Sequence, residues 1–170
     1  MADAEAVAEY LRRSYFAADG LWFVQAEEAH GFEEALRLDV AVWRVLGKIQ
    51  ARKAREVLGI EGGAPADLVA ALGLKFEAEQ YDHRAVRVEP ERAEIEIRGC
   101  PWIELLRKSG RMHLAARVAD AICETDCAAW AREFDPALAV EMPQRMCSGD
   151  EMCRIVFRRD AAGDTSQKET

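Results

Sequence analysis

Histidine is scarce in this chain, and the common catalytic signatures are missing. Only three histidines occur in 170 residues. His30, His83 and His113 stand apart, and no two lie at i, i+4, so the sequence carries no histidine-based zinc motif. It has no G-x-S-x-G, no P-loop and no G-x-G-x-x-G, which leaves serine-nucleophile, nucleotide-triphosphatase and Rossmann readings without support. No apolar run approaches the roughly 20 residues of a membrane-spanning helix. Positive charge is in the minority: 23 Lys and Arg stand against 31 Asp and Glu, a formal net charge of −8. Such an acid excess does not favour nucleic acid or anionic lipid as a partner. Met1 to Glu9 is acidic and Ala-rich, without the basic region and apolar core of a secretory signal. The expectation is a cytoplasmic protein that binds neither nucleic acid nor membrane.

What is present is the composition of a globular domain, 50% hydrophobic and 32% charged. Three- and four-residue spacing predicts a long helix from about Asp3 to Ala29, with Val7, Leu11, Ser14, Tyr15, Ala18, Leu21, Trp22 and Gln25 on its stripe. His30-Gly31 is a stop signal. A second helix is predicted over Phe32 to Leu58, with Phe32, Leu36, Val40, Trp43, Leu46, Gln50, Ala54 and Val57 inward. At 1.5 Å per residue each helix is about 40 Å long. An antiparallel pair of that length needs the rest of the domain, or a second chain, to cover its apolar faces.

Pro65 begins a third helix to about Gln80, with Leu68, Leu72 and Phe76 inward. The period then becomes two. Val86 and Val88, then Ala93, Ile95 and Ile97, alternate with charged residues around a Glu89-Pro90-Glu91-Arg92 turn, the pattern of a hairpin with one apolar and one wet face. Pro101 opens a short helix, and a longer one runs from about Met112 to Phe134, with Ala115, Ala119, Ile122, Cys123, Trp130 and Phe134 inward. A second hairpin places Leu138, Val140 and Met142 beside Cys153, Ile155 and Phe157, with Pro143 marking an edge or a bulge. The fold class is α+β: a helical hairpin and third helix, then an antiparallel sheet of two hairpins with two intervening helices. The expected organisation is 1–63 as a helical hairpin and dimerisation arm, 64–159 as an α+β ligand-binding unit, and 160–170 as a flexible tail.

Five cysteines are the unusual feature, and all follow residue 99. An odd count in a cytoplasmic chain argues against disulfides. Cys123 and Cys127 share a helix face, Cys147 and Cys153 flank the tip of the last hairpin, and Cys100 ends an earlier strand. Thiolates suit zinc or another soft metal, so these five are the metal-ligand set to test, with plain buried thiols as the alternative. Glu124 and Asp126, between the helix cysteines, are either acid–base groups or part of a solvent face. Arg44, Lys48, Arg52 and Arg55 form a basic stripe, read as a solvated face paired with neighbouring glutamates rather than as an anion site. Tyr15, Phe16, Trp22, Phe23 and Trp43 are read as core, with an apolar pocket as the alternative.

Two stretches carry a family resemblance. Cys100-Pro101-Trp102, the helix with Cys123, and Met146-Cys147-Ser148-Gly149-Asp150-Glu151-Met152-Cys153-Arg154 resemble the C-terminal region of an uncharacterised prokaryotic family related to the 2-aminothiazoline-4-carboxylate hydrolases. Tyr15 through Phe23 resembles the same family. More distantly, the last hairpin is similar to the 4-vinyl reductase domain. That resemblance implies binding of a small apolar or aromatic molecule, with zinc held by three Cys and one Glu. Cys147 and Cys153 match two of those positions, and Cys123 or Cys127 would be a third. Gln144 occupies the Glu position, and a neutral amide is a poor zinc ligand. The hydrolase resemblance implies a small cyclic C–N substrate, with Cys147 as the nucleophile. Three functions are therefore expected to compete: a small-molecule-binding domain with a cysteine-rich site, a cysteine hydrolase, and a homodimer joined through its N-terminal helices.

Overall fold

The computed structural model describes residues 2–159. The tail expected to be flexible, 160–170, lies outside the described residues. The elements run α1 (Ala4–His30), α2 (Phe32–Leu58), α3 (Pro65–Ala78), β1 (Asp82–Glu89), β2 (Arg92–Gly99), α4 (Pro101–Lys108), α5 (Ala115–Phe134), β3 (Leu138–Gln144) and β4 (Cys153–Arg159), with 3-10 turns at Met112–Leu114 and Met146–Ser148. The α+β class and its order of elements are as the periodicities indicate.

The helix ends follow from local chemistry. The Asp3 carboxylate accepts from the Ala6 N–H at 2.7 Å and caps α1. At the end of α2, Gly59 takes a left-handed φ of 64° and returns its N–H to the last turn. The connection to α3 is clamped by Arg55. Its guanidinium donates to the Glu133 carbonyl at 2.6 Å and the Glu61 carbonyl at 3.0 Å, and it lies 5.0 Å from the Phe134 ring centroid. Those bonds satisfy the terminal carbonyl of α5 that no helix neighbour can reach. Arg55→Ala is expected to lower unfolding free energy by about 2 kcal/mol in urea denaturation, the scale of hydrogen bonds from a charged donor. Arg52 pairs with Glu133 at 2.6 Å, so part of the basic stripe is joined to α5 rather than to the glutamates expected.

The four strands form one antiparallel sheet in the order β1-β2-β4-β3. Ala93, Ile95, Ile97, Ile155 and Phe157 present its apolar face. Leu68, Leu72 and Phe76 of α3 and Cys127, Trp130 and Phe134 of α5 cover it, and Ala51 and Ala54 of α2 belong to the same core. A smaller cluster joins Leu36 and Trp43 of α2 to Ile122 of α5 and to Tyr15, Phe23 and Trp102. Pro143 falls at a register break on the edge strand β3, as its missing N–H requires.

Two expectations need correction. The second sheet face is not simply wet. Glu94 and Glu96 are buried on it beneath arginines: Glu96 meets Arg84 at 2.6 Å and Arg154 at 2.9 Å, and Glu94 meets Arg92 at 2.9 Å. Val86 and Val88 are exposed instead of inward, because β1 is an edge strand with a register break between Ala85 and Arg87. On α1 the inward stripe is also displaced. Val7, Leu11, Leu21 and Trp22 face outward, with Trp22 78% exposed, while Tyr15, Phe16, Asp19 and Phe23 turn inward. The helix carries two apolar stripes, and periodicity alone does not choose between them.

Candidate functional site

A cavity of about 450 Å³ lies between α1, α2, α4, α5 and the end of the sheet. That is the size of a small-molecule site. Its walls are built from α1 (Phe16, Phe23), α2 (Trp43), α4 (Trp102, Ile103) and the apolar sheet face (Ile97, Ile155). Trp102 is the central aromatic. Phe16 meets it edge-on at 4.6 Å between centroids, Trp43 at 5.4 Å and Tyr15 at 5.9 Å. Pro101 at the first turn of α4 sets this helix immediately after β2, which aims Trp102 back over the cavity. Of the aromatic residues read as core, Trp43, Tyr15 and Phe23 do belong to the smaller core cluster, Phe16, Phe23 and Trp43 also line the cavity, and Trp22 lies outside both.

All five cysteines line this cavity: Cys100, Cys123, Cys127, Cys147 and Cys153. The sheet end, the hairpin base and one face of α5 do converge. Cys123 is open to the cavity space while protein surrounds it, and Cys127 is fully buried. Burial pushes the Cys100 thiol up to about 11. It also raises Cys123 well above the usual thiol range, reinforced by Cys127, Cys100, Cys147 and Cys153 nearby. Burial raises Cys127 and Cys153 as well. In each of these four, burial favours the neutral thiol over the thiolate.

The convergence of the five cysteines on one cavity does not by itself make a metal site. Among the described residues, no three His, Cys, Asp or Glu side chains are placed to hold one metal ion. Gln144, at the fourth expected ligand position, accepts instead from the Arg154 guanidinium at 3.1 Å, on the arginine-covered side of the sheet. For Cys147 as a nucleophile, a base is needed within hydrogen-bond reach. Among the described residues, no histidine lines the cavity and Cys147 has no side-chain hydrogen-bond partner.

Apart from Asp126, the polar groups of the cavity come from residues that carry no motif in the sequence. Lys75 of α3 is buried, its ammonium 2.7 Å from Glu79 and 3.8 Å from Asp126. Burial opposes its charge, but Asp126 and Glu79 outweigh that and raise its pKa. Glu79 also accepts from the Trp102 indole N–H at 3.3 Å, which ties α4 to α3. Asp19 of α1 and Asp39 of α2 line the same space. Burial lifts Asp19 to about 6 and Asp39 to about 7, and the neighbouring charge of Asp19 adds to the rise at Asp39. Burial likewise lifts Asp126 to about 6. Asp126, left open above between an acid–base role and a solvent face, is buried beside Lys75. A signal for these residues was available. Asp19 lies three residues from Phe16, and Asp39 four from Trp43, so both carboxylates interrupt otherwise apolar stripes.

These carboxyls set a pH dependence. Asp19, Asp39 and Asp126 hold protons in the fold at pH values where the unfolded chain has released them, so stability falls as pH rises from about 4 toward about 7. Glu96, lowered chiefly by its hydrogen bond from Arg84, and Glu94, where Arg92 and Arg154 outweigh burial, act oppositely. Their contribution is lost as pH falls below the unfolded carboxylate value. The thermal midpoint is therefore expected to peak at about pH 4 rather than at neutrality, checked by melting curves across a buffer series.

A one-sheet α+β domain enclosing an aromatic-walled cavity is the class that fold and site define. The chain belongs to a family of unknown function (DUF6125), whose model matches residues 3–157. Among solved structures it is similar to the crystal structure of the phenol-responsive sensory domain of the transcription activator PoxR with phenol. That likeness has a TM-score of 0.56 and 13% identity, over 84% of this chain and 73% of that chain. It shows a shared fold. No curated protein matches the chain. Neither match bears on the hydrolase or 4-vinyl reductase resemblances. No helix of the described residues is long and apolar enough to cross a membrane.

Proposed function

We propose that this protein is a small-molecule-binding domain whose ligand occupies the cavity under Trp102. The observation that carries this reading is the cavity itself: about 450 Å³, walled by Phe16, Phe23, Trp43 and Trp102, with a few buried polar groups at fixed positions. A fold shared with a phenol-responsive sensory domain supports it. Among the described residues no histidine lines the cavity beside Cys147, and this favours binding over cysteine-dependent hydrolysis. Calorimetric titration with phenol and other single-ring aromatics tests the reading. Saturable binding at one site per chain supports it, and the absence of binding by every single-ring compound tried rejects it.

A second reading concerns assembly, and the outward face of α2 favours it. Leu38, Val42, Val45 and Ile49 are exposed at spacings of four, three and four residues, with Val7, Leu11 and Leu21 exposed on the adjacent α1. A stripe with heptad-like spacing is a self-complementary seam for a second copy of the hairpin. The full chain is expected to be a dimer by light scattering, and Val45→Glu with Ile49→Glu to be a monomer with an unchanged circular dichroism spectrum. A monomeric wild type at high concentration rejects the dimer.

A further inference from the structure

The charges around the cavity do not balance. Lys75 and Arg111 line it, and each is already matched, Lys75 by Glu79 and Asp126 and Arg111 by Glu27 of α1. Asp19 and Asp39 line it too, and among the described residues neither has an ion-pair partner. The group that favours the charged form of Asp39 is the Trp43 side chain, a neutral donor. The charged groups that act on Asp19 are Glu79, which opposes its ionisation, and Lys75, which favours it, and the one that acts on Asp39 is Asp19 itself, so the pair receives no net positive charge.

The walls are suited to a cation. Lys75 Nζ stands 5.4 Å from the Trp43 ring centroid, and the Arg111 guanidinium 5.8 Å from that of Phe23. Aromatic faces of this cavity therefore already hold positive groups. Phe16 and Trp43 each stand edge-on to Trp102 around the space. Aromatic faces beside unmatched carboxylates are the chemistry that recognises organic ammonium groups.

From this geometry we propose that the cavity takes an organic cation, an ammonium carried on an aromatic or apolar body, with the ammonium between Asp19 and Asp39 and the body against Trp43, Trp102 and Phe16. This rests on the small-molecule reading above and adds the charge of the ligand. A cation supplies the counter-charge that Asp19 and Asp39 lack. A neutral alcohol or phenol gives hydrogen bonds without charge, and a carboxylate ligand meets repulsion. Because the bound cation takes the place of carboxyl protons, its affinity should rise with pH through the range where Asp19 and Asp39 ionise.

Three benzylic probes of nearly equal size separate the possibilities: benzylamine, benzyl alcohol and benzoate, titrated calorimetrically into the full chain at about pH 8 and about pH 5. Benzylamine is expected to bind about tenfold or more tightly than benzyl alcohol at the higher pH, the scale of one pKa unit, with benzoate weakest. The ratio should shrink toward unity at the lower pH. Asp19→Asn with Asp39→Asn should keep the affinity for benzyl alcohol and lose the preference for the amine. Melting curves confirm that this variant folds. Benzyl alcohol binding as tightly as benzylamine at about pH 8 would overturn the inference and leave the small-molecule reading standing. Failure of all three probes to bind would reject both.

Discussion

Lys75→Met is expected to lower unfolding free energy by about 3–5 kcal/mol at about pH 8, the cost of breaking a buried ion pair from one side. The Lys75 side chain is only 5% exposed and that of Glu79 only 6%. Methionine keeps much of the volume and removes the charge, so the loss is electrostatic rather than a packing defect. Glu79 keeps a hydrogen bond from Trp102, but Asp126 is left with one carboxylate oxygen buried and unpartnered and the other without its cation. The pH dependence identifies the cause. Without Lys75, Asp126 loses the charge that opposes its desolvation, so its folded pKa rises further above the unfolded one and the fold binds more protons than the unfolded chain. Stability of the variant therefore decreases as pH rises above about 4, and the deficit against wild type is smaller at about pH 5 than at about pH 8. Chemical denaturation at the two pH values measures it. Equal deficits would mean that Lys75 acts through packing.

The second large effect is on binding. Cys123→Trp is expected to weaken binding of any cavity ligand by about 100-fold or more, near 2.7 kcal/mol, while changing stability by less than about 1 kcal/mol. Cys123 sits on the α5 face that lines the cavity and is open to its space. An indole there occupies volume that is otherwise the ligand's, and it meets aromatic walls rather than backbone. The same enlargement at Gly47 would behave differently. A Cβ on Gly47 comes within 2.7 Å of an Asp126 carboxylate oxygen and 3.1 Å of the Ala129 methyl, because α2 and α5 approach closely there. A bulky residue at Gly47 damages the fold, whereas one at Cys123 fills the site. Thermal melts with parallel ligand titration distinguish the two.

Much of this architecture was legible because the local signals agreed. Gly31, Gly59 and Pro65 punctuate the helices where the stripes stop, and the change to period two at Ala93, Ile95 and Ile97 marks the buried strand. The orientation of α1 was not legible. Val7, Leu11, Leu21 and Trp22 make a more hydrophobic stripe than Phe16, Asp19 and Phe23, yet the second stripe faces the cavity. A cavity wall tolerates carboxylates, and an exposed apolar stripe is stable only if another surface covers it, so hydrophobicity ranks the two wrongly. The gathering of the cysteines was legible from their strand-end and helix-face positions. Their chemistry was not, since burial raises the thiols and that depends on what packs around them. Lys75 was hidden for a similar reason. A lysine within an apolar helix reads as a solvent residue until Glu79, one turn on, and Asp126, far along the chain, are seen to close around it.

The central claim is that the space under Trp102 is a ligand site. Calorimetric titration of one single-ring aromatic series into wild type and Cys123→Trp, at several temperatures, tests it most directly. One saturable site per chain is expected in wild type, with a negative heat-capacity change from apolar burial and loss of that binding in the variant. Binding of equal strength in both proteins, or no binding to wild type across the series, would contradict it.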